Sequence, residues 1–412
     1  MLSLNEAVDR VLIGHKSLPI ERLPLALSYG RVLAEDVISP RSIPPWDNSA
    51  MDGYAVRSVD VTTQPVVLKV LEVIPAGTMP TRSVTQGACS KIMTGAPMPE
   101  GADSVIIVED AKVLADGMVE LSEVSFAGKN VREKGNDVAL GSTVLAVGHF
   151  LDAAAVGMLS SLGIAAVSVY QRPLVAILST GDEVIEVGNP LEEGQIYSSN
   201  NHTLAGLVAE AGGEAMDCGI APDDPEGLRD CLARCLRADL ILTTGGVSMG
   251  DFDFVKEALE AHGSELDFWK VAIKPGKPLA YGKIGGKPAF GLPGNPVSCM
   301  VNFHEFVRPV LRRMMGDERG FLPVIEALLD VGIKKRPGRA LFARLTLRQA
   351  DDGTIIASPL INQSSGALTS MVVADGLGYL EASAGSASVG DVVSVQVLNW
   401  RWMDRTSTGL KD

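Results

Sequence analysis

The 412-residue sequence predicts a multidomain α/β-plus-β protein: a central three-layer α/β domain on a parallel sheet, an inserted all-β domain, and a small C-terminal β domain. Three observations predict it. Between Pro173 and Met315, apolar strand-like runs alternate with helical runs of ten or more residues, the pattern of a parallel sheet with right-handed crossovers. From about Val56 to Val147 the apolar runs are short and separated by turns, and from about Phe321 short runs return. A chain of this length also exceeds one hydrophobic core.

Ser3-Leu4-Asn5-Glu6 is a capping box, and Leu4, Ala7, Val8, Val11 and Leu12 follow at helical spacing, so the chain opens with an amphipathic helix. A second helical run is expected over about Pro24–Glu35. The insertion carries strand-like runs at Val66–Val73, Ser104–Val108, Met118–Leu121 and Thr143–Ala146. In the α/β part, strands are expected at Leu174–Leu178, Glu214–Gly219 and Leu240–Thr243. Helices are expected at Asn200–Ala211, Pro225–Arg237, Phe254–His262 and from Pro296 to Met315. The closing strands are Val324–Val331, Leu341–Leu347, Ile355–Ser358, Gly378–Leu380 and Val392–Val397. The implied division is a discontinuous linking domain at 1–45 and 140–172, an inserted β-rich domain at 46–139, an α/β domain at 173–317, a β domain at 318–404 and a tail at 405–412.

Composition narrows the function classes. A formal charge of −14 argues against non-specific nucleic-acid binding and against an anionic membrane surface. The N-terminal MLSLNEAVDR holds acidic residues and no apolar run, so it does not read as a signal peptide. The longest charge-free stretch, Ala153–Gln171, is interrupted by Gly157, Gly163 and several serines; with Asp152 at its N-cap it reads as a helix and a strand, not a membrane span. The five cysteines are scattered. Cys231 and Cys235 would share a helix face without a companion His or Cys pair, and read as buried free thiols. A protein of a reducing cytoplasm is expected.

Against this acidic background, Phe268–Pro296 holds five lysines and no Asp or Glu, which marks a seat for an anion. Each polar, glycine-rich loop between Pro173 and Pro296 follows a strand, so the loops converge on the rim where open parallel sheets bind ligands. That rim collects Asp182, Glu183, Asp223, Asp224, Asp251 and Asp253 with Lys270, Lys274 and Lys277. The helix N-termini after Gly250 and Pro296 add N–H groups and the positive dipole end. Carboxylates and lysines facing one crevice suit an anionic ligand held with a divalent cation such as Mg²⁺, which takes one or two carboxylates plus substrate phosphates. The alternative is that these charges pair with one another and solvate the rim. Gly246-Val247-Ser248-Met249-Gly250 also fits a nucleophile elbow, with Ser248, Asp267 and His304 as a triad in sequence order. Against the elbow, His304 lies inside the helix expected after Pro296, and the lysines would be unexplained. No Walker loop or dinucleotide fingerprint occurs.

Ten segments in order, PPWDNSAMDGYAV, IMTGAPMPEGAD, VREKGND, STGDE, the Asp-Asp-Pro loop, TTGGVSMGDFDF, WKVAIKPGKP, GLPGNPVS, PGRALFAR and NQSSGALTS, together resemble the MoeA family. These are the molybdopterin molybdenumtransferases of molybdenum-cofactor biosynthesis, whose eukaryotic counterpart is the E domain of gephyrin. The resemblance implies a molybdopterin-binding type of α/β domain. It implies insertion of molybdate, as substrate, into adenylylated molybdopterin, assisted by Mg²⁺, with release of AMP. It implies a homodimer whose site is shared between subunits, and it leaves open a separate molybdopterin adenylyltransferase partner.

Carried over by residue, the resemblance gives Glu183, Asp223 or Asp224, and Asp253 to the adenylyl-pyrophosphate and its Mg²⁺. The family often has Glu where Asp251 stands, so Asp251 is a third candidate metal ligand whose share is open. Lys270 and Lys274, with Lys277, would hold phosphate or molybdate, helped by the backbone of Pro293–Val297, Pro293, Asn295 and Pro296 among them, and Ser248 would touch substrate. Asp52, Thr94 and Arg132 would complete the site from the second subunit, and Arg344 and Ser365 would help bind molybdate. Asp52, Asp253, Lys270 and Lys274 are the expected catalytic groups. Lys283 and Lys287, in a hairpin beyond the rim, are assigned to solvent. Two other readings stay open: a non-catalytic scaffold on the same fold, as in the gephyrin relative, and a nucleotide pyrophosphate hydrolase.

Overall fold

The computed structural model describes residues 1–222, 225–245 and 265–404. It divides into two compact units, one comprising Met1–Arg22, Gly30–Ala34 and Ser168–Asp412, the other Leu23–Tyr29 and Glu35–Val167.

The first unit opens with α1 (Leu4–Leu12), whose capping box forms as expected: Glu6 N donates to Ser3 Oγ at 3.3 Å, and Ser3 N donates to Glu6 Oε2 at 2.8 Å. The α/β part then runs β1 (Leu174–Thr180), α2 (Ser199–Ala211), β2 (Glu214–Ala221), α3 (Pro225–Cys235), β3 (Leu240–Thr244), β4 (Glu265–Lys270), β5 (Ile273–Lys274), β6 (Pro278–Ile284), β7 (Lys287–Leu292), α4 (Pro296–Asn302) and α5 (Arg308–Met314). One six-stranded sheet has the order β2-β1-β3-β7-β6-β4. Strands β2, β1, β3 and β7 are mutually parallel, while β6 is antiparallel to both β7 and β4. Strand β4 therefore runs with the parallel set, and its Lys270 end falls on the same rim as Thr180, Ala221, Thr244 and Leu292.

Strands β1 and β3 are apolar on both faces because both faces are covered. Val175, Ile177, Leu240 and Leu242 pack with Leu204, Leu207, Val208 and Ala211 of α2 and with Val301, Phe306 and Val310. On the other face Ala176, Leu178 and Ile241 pack with Leu228, Cys231, Leu232 and Cys235 of α3. This is the expected three-layer arrangement, and all five cysteines are buried free thiols. The helix expected from Pro296 to Met315 is continuous, but Phe303–Val307 forms a π-turn between α4 and α5.

The C-terminal part comprises β8 (Val324–Leu329), β9 (Ala340–Gln349), β10 (Ile355–Pro359), α6 (Leu368–Val373), β11 (Gly376–Leu380) and β12 (Val392–Val397). Its sheet has the order β5-β9-β10-β8-β12-β11, and β11 also pairs with β9, closing a small barrel. The short strand β5 adds to β9 in parallel, Ile273 opposite Ala340 and Lys274 opposite Leu341.

The second unit holds a six-stranded sheet in the order Ser104–Ile107, Gly53–Val56, Ala88–Ile92, Val66–Ile74, Met118–Leu121, Ala111–Val113. Tyr54, Val56, Leu68, Cys89, Ile106 and Leu121 fill one side, and Ala55, Ile74, Ile92 and Val105 the other. Asp152 caps the helix Ala153–Ser161, its Oδ1 accepting from Ala155 N at 2.8 Å, and the strand Ala166–Tyr170 follows. The helix expected over Pro24–Glu35 is absent. The segment holds one 3₁₀ turn, Leu25–Leu27, because Ser28-Tyr29-Gly30 turns the chain and Gly30 takes a left-handed φ of 75°. Among the described residues no helix is long and apolar enough to cross a membrane.

The π-turn buries a titratable group. Glu305 is 3% exposed, accepts from Gln396 Nε2 at 3.2 Å, and its Oε1 has no partner among the described residues. Burial pushes its carboxyl up from the ordinary 4.5 to about 7. The folded protein then keeps a proton that the unfolded chain has already released, so stability falls as pH rises from the unfolded to the folded pKa. The stability of wild type relative to Glu305→Gln, measured by denaturant unfolding, should fall by on the order of a few kcal/mol between about pH 5 and pH 8. A difference that stays flat across this range would exclude Glu305 as its source.

Candidate active site

The rim begins where β1 ends. Its apolar residues give way to Ser179 and Thr180, then Gly181-Asp182-Glu183. Gly181 has φ 126°, and a Cβ there would lie 2.5 Å from the Glu183 carboxylate, so only glycine lets that side chain fold back. Gly245, after β3, has φ 90°, and its Cβ would lie 2.5 Å from the Thr180 carbonyl oxygen. The ends of β1 and β3 thus approach to backbone contact. Asp182 and Glu183 are both exposed.

The first turn of α2 fixes these ends. Asn200 Nδ2 donates to Thr244 Oγ1 at 2.8 Å and to the Gly294 carbonyl at 2.8 Å, joining the end of β3 to the turn after β7. Asn201 Nδ2 donates to Asp217 Oδ1 at 3.1 Å, and its Oδ1 accepts from Ser179 Oγ at 2.6 Å. Asn200 Oδ1 and Thr180 Oγ1 are buried at the rim with no hydrogen-bond partner among the described residues. Sequence reasoning took Asn200 and Asn201 only as the start of a helix. The available signal was two adjacent amides, poor helix formers, on a face that must pack against strand ends.

The lysine turn is anchored on both sides. Asn302 Nδ2 of α4 donates to the Gly276 carbonyl at 3.2 Å, and Val271 N donates to the Lys277 carbonyl at 3.1 Å. Ala340 N donates to the Ala272 carbonyl at 2.8 Å, tying the turn to the barrel. Lys274 and Lys277 are exposed. Lys270 Nζ lies 4.2 Å from the Trp269 ring centroid, within cation–π range. Lys283 is exposed in the β6–β7 hairpin, opposite Pro288, and Lys287 is half-buried.

The turn Pro293-Gly294-Asn295-Pro296 opens α4, but its first amide is already used. Val297 N donates to the Ser365 carbonyl at 3.1 Å, so this N–H, expected to face an anion, instead docks the 363–365 loop. Asn295 makes no side-chain cap bond. Arg344, on β9, is 1% exposed. Its Nε donates to Ser370 Oγ at 3.3 Å and its Nη2 to the Ser364 carbonyl at 3.2 Å, while its own N–H donates to Gln363 Oε1 at 3.0 Å. Burial pushes the guanidinium down to about 10, still a cation at neutral pH, and it makes no ion pair among the described residues.

In the second unit, Thr94 N donates to Asp52 Oδ1 at 2.7 Å and Thr94 Oγ1 to the same atom at 3.0 Å. These two bonds hold the Asp52 carboxyl below its usual range. Arg132 pairs with Asn48 across the two-stranded sheet of Val131–Arg132 and Asn48–Ser49, and Gly95 N donates to the Ser49 carbonyl. The three residues are exposed, on segments that flank Asn48–Ser49.

Asp223, Asp224, Ser248, Asp251 and Asp253 lie outside the described residues, as does the helix expected at Phe254–His262. The elbow triad does not assemble from its other members. Asp267 is bound to Arg10 at 3.0 Å, and His304 is buried in the π-turn, where desolvation pushes it down to about 4 and its Nδ1 has no partner among the described residues. For Mg²⁺ the donor chemistry fits, since Asp182 and Glu183 are adjacent exposed carboxylates shortly after Thr180, whose Oγ1 has no hydrogen-bond partner among the described residues. Among the described residues no group of three or more His, Cys, Asp or Glu could hold a metal ion.

Comparison with known proteins covers nearly the whole chain. Residues 2–163 match the MoeA N-terminal region (domain I and II), residues 176–313 a probable molybdopterin binding domain, and residues 326–398 the MoeA C-terminal region (domain IV). The chain is 38% identical over 405 residues to a molybdopterin molybdenumtransferase of Haemophilus influenzae, covering 97% of this chain and 99% of that one. It is 40% identical over 348 residues to molybdopterin molybdenumtransferase 2 of Mycobacterium tuberculosis, covering 81% and 85%. A crystal structure of the molybdopterin biosynthesis MoeA protein from Pyrococcus horikoshii OT3 superposes with a TM-score of 0.84 at 31% identity, over 96% of this chain and 100% of that one. With these regions in the same order and identity sustained over nearly its full length, the chain belongs to the MoeA family, the molybdopterin molybdenumtransferases of molybdenum-cofactor biosynthesis.

Proposed function

We propose that the chain inserts molybdate into adenylylated molybdopterin at the rim of the α/β sheet, with Mg²⁺ assisting and AMP leaving. The observation that carries the reading is Arg344, a buried cation with no carboxylate partner among the described residues, holding the loop that bears Ser365 against the Pro293–Val297 turn. A buried unpaired charge is costly, and an anion brought beside it relieves that cost. Arg344 acts as a positioning residue through Ser364, and its field adds to that of Lys270, Lys274 and Lys277. Those lysines hold the phosphate and molybdate oxygens. Asn200 and Thr180 offer polar groups in a buried floor, where each interaction with the anhydride is stronger than in water. Bound Mg²⁺, held by Glu183 with Asp253 and with Asp223 or Asp224, would neutralise charge on the anhydride oxygens.

Asp52, Thr94 and Arg132 are assigned to a site shared across a homodimer. Thr94 keeps Asp52 ionised and fixed in direction, which suits a group that must meet a ligand presented by another chain.

The protein incubated with adenylylated molybdopterin, Mg²⁺ and molybdate should release AMP only when molybdate is present. Arg344→Gln and Glu183→Gln should each lower that release by about a hundredfold or more while the fold, followed by circular dichroism, is kept. Tight substrate binding without release would point to a scaffold. Release independent of molybdate would point to a pyrophosphate hydrolase.

A second experiment addresses the shared site. Asp52→Asn and Lys274→Gln should each be inactive alone, yet subunits mixed under exchange conditions should regain AMP release, because one site per mixed dimer is intact. A mixture as inactive as its parents would mean that each chain completes its own site.

A further inference from the structure

A concavity of about 1020 Å³ in the first unit is ringed by six cationic side chains: Lys274 and Lys277 from the lysine turn, and Lys334, Lys335, Arg336 and Arg339 from the segment leading into β9. None of its described lining residues is Asp or Glu, in a chain whose formal charge is −14. Lys335 is the strut. Its Nζ donates to the carbonyls of Ala384 at 2.6 Å and Ala382 at 3.3 Å, and its N–H donates to Ser386 Oγ at 3.0 Å. The other five are exposed, and none forms an ion pair among the described residues. Like charges gathered in one concavity repel one another, and an anion placed among them removes that cost.

The concavity is separate from the surroundings of Arg344. Leu341 lines it, and along a strand residues three apart point to opposite faces. Leu341 belongs to the barrel core, whereas Arg344 reaches Ser370 and Ser364 on the other face. Its volume, at the upper end of about 300–1,000 Å³ for small-molecule sites, exceeds the need of one tetrahedral oxyanion.

We propose that this concavity binds the phosphate groups of an organic diphosphate or oligophosphate, with Lys334, Arg336 and Arg339 as its own binding residues and Lys274 and Lys277 shared with the rim. Resting on the function proposed above, its occupant is the diphosphate-bearing substrate, caught here before the reacting bond reaches the rim. Inorganic pyrophosphate titrated calorimetrically into the full chain should bind with an affinity that falls as salt rises. The triple variant Lys334→Ala, Arg336→Ala, Arg339→Ala should bind it at least about tenfold more weakly, and the charge-preserving Lys334→Arg, Arg336→Lys, Arg339→Lys should bind it nearly as wild type does. In the AMP-release assay the alanine variant should raise KM by a similar factor and leave kcat unchanged. Undiminished pyrophosphate binding by the alanine variant, or none by wild type, would overturn the site. Lost pyrophosphate binding with an unmoved KM would keep the site and overturn the substrate as its occupant. A wild type that binds pyrophosphate through these residues yet releases no AMP would leave the site standing and remove the transferase reaction.

Discussion

Strand direction is the constraint on which the rest of the first unit depends. Both faces of β1 and β3 are committed to packing, one against α2 and the other against α3, so neither face can carry chemistry. Polar groups have room only where the strands stop, and parallel strands stop on the same edge. Five strands end there, at Thr180, Ala221, Thr244, Lys270 and Leu292. Residues far apart in the chain meet at this rim because the core excludes them everywhere else.

Ends that merely coincide would not make a site. Asn200 joins Thr244 to Gly294, Asn302 holds Gly276, and Arg344 holds Ser364, whose neighbour Ser365 takes the Val297 amide. The bonds of Asn200, Asn302 and Arg344 run from buried or nearly buried side chains to a loop carbonyl or hydroxyl, and two of these side chains keep capacity unused: Asn200 Oδ1 and Asn302 Oδ1 lack partners among the described residues. The rim is therefore rigid in its backbone and polar in its floor, a combination that favours recognition of a charged ligand over plain stability.

The periodicity of the sequence carried the layers, the sheet and the convergence of the loops, because helix and strand periods are set by which faces must be buried. It carried less where two local preferences compete. Pro24–Glu35 is apolar enough to read as a helix, yet Ser28-Tyr29-Gly30 ends it after one turn. A π-turn adds one residue to a helical turn without changing composition, so Phe303–Val307 was hidden. The amide of Val297 looked free from helix geometry alone, and only tertiary docking of the 363–365 loop uses it. Asn200, Asn201 and the strut role of Lys335 were illegible for the same reason: their partners lie 44 or more, 16 or more and 47 or more residues away.

The electrostatics turn on one short pairing. An anionic ligand approaching a chain of formal charge −14 is repelled at long range, but at physiological ionic strength that repulsion is screened beyond about 8 Å. Within that distance local charge decides, and a lysine beside a carboxylate contributes little. Phe268–Pro296 avoids this by holding no Asp or Glu. The segment from Lys334 to Arg339 is equally free of acids, and sequence distance alone would keep the two apart. Strand β5 pairs Ile273 with Ala340 and Lys274 with Leu341, which sets the two basic segments side by side. Two main-chain registers thus convert separate patches of moderate charge into one positive wall, and the pairing that extends the barrel sheet also sets the local field there.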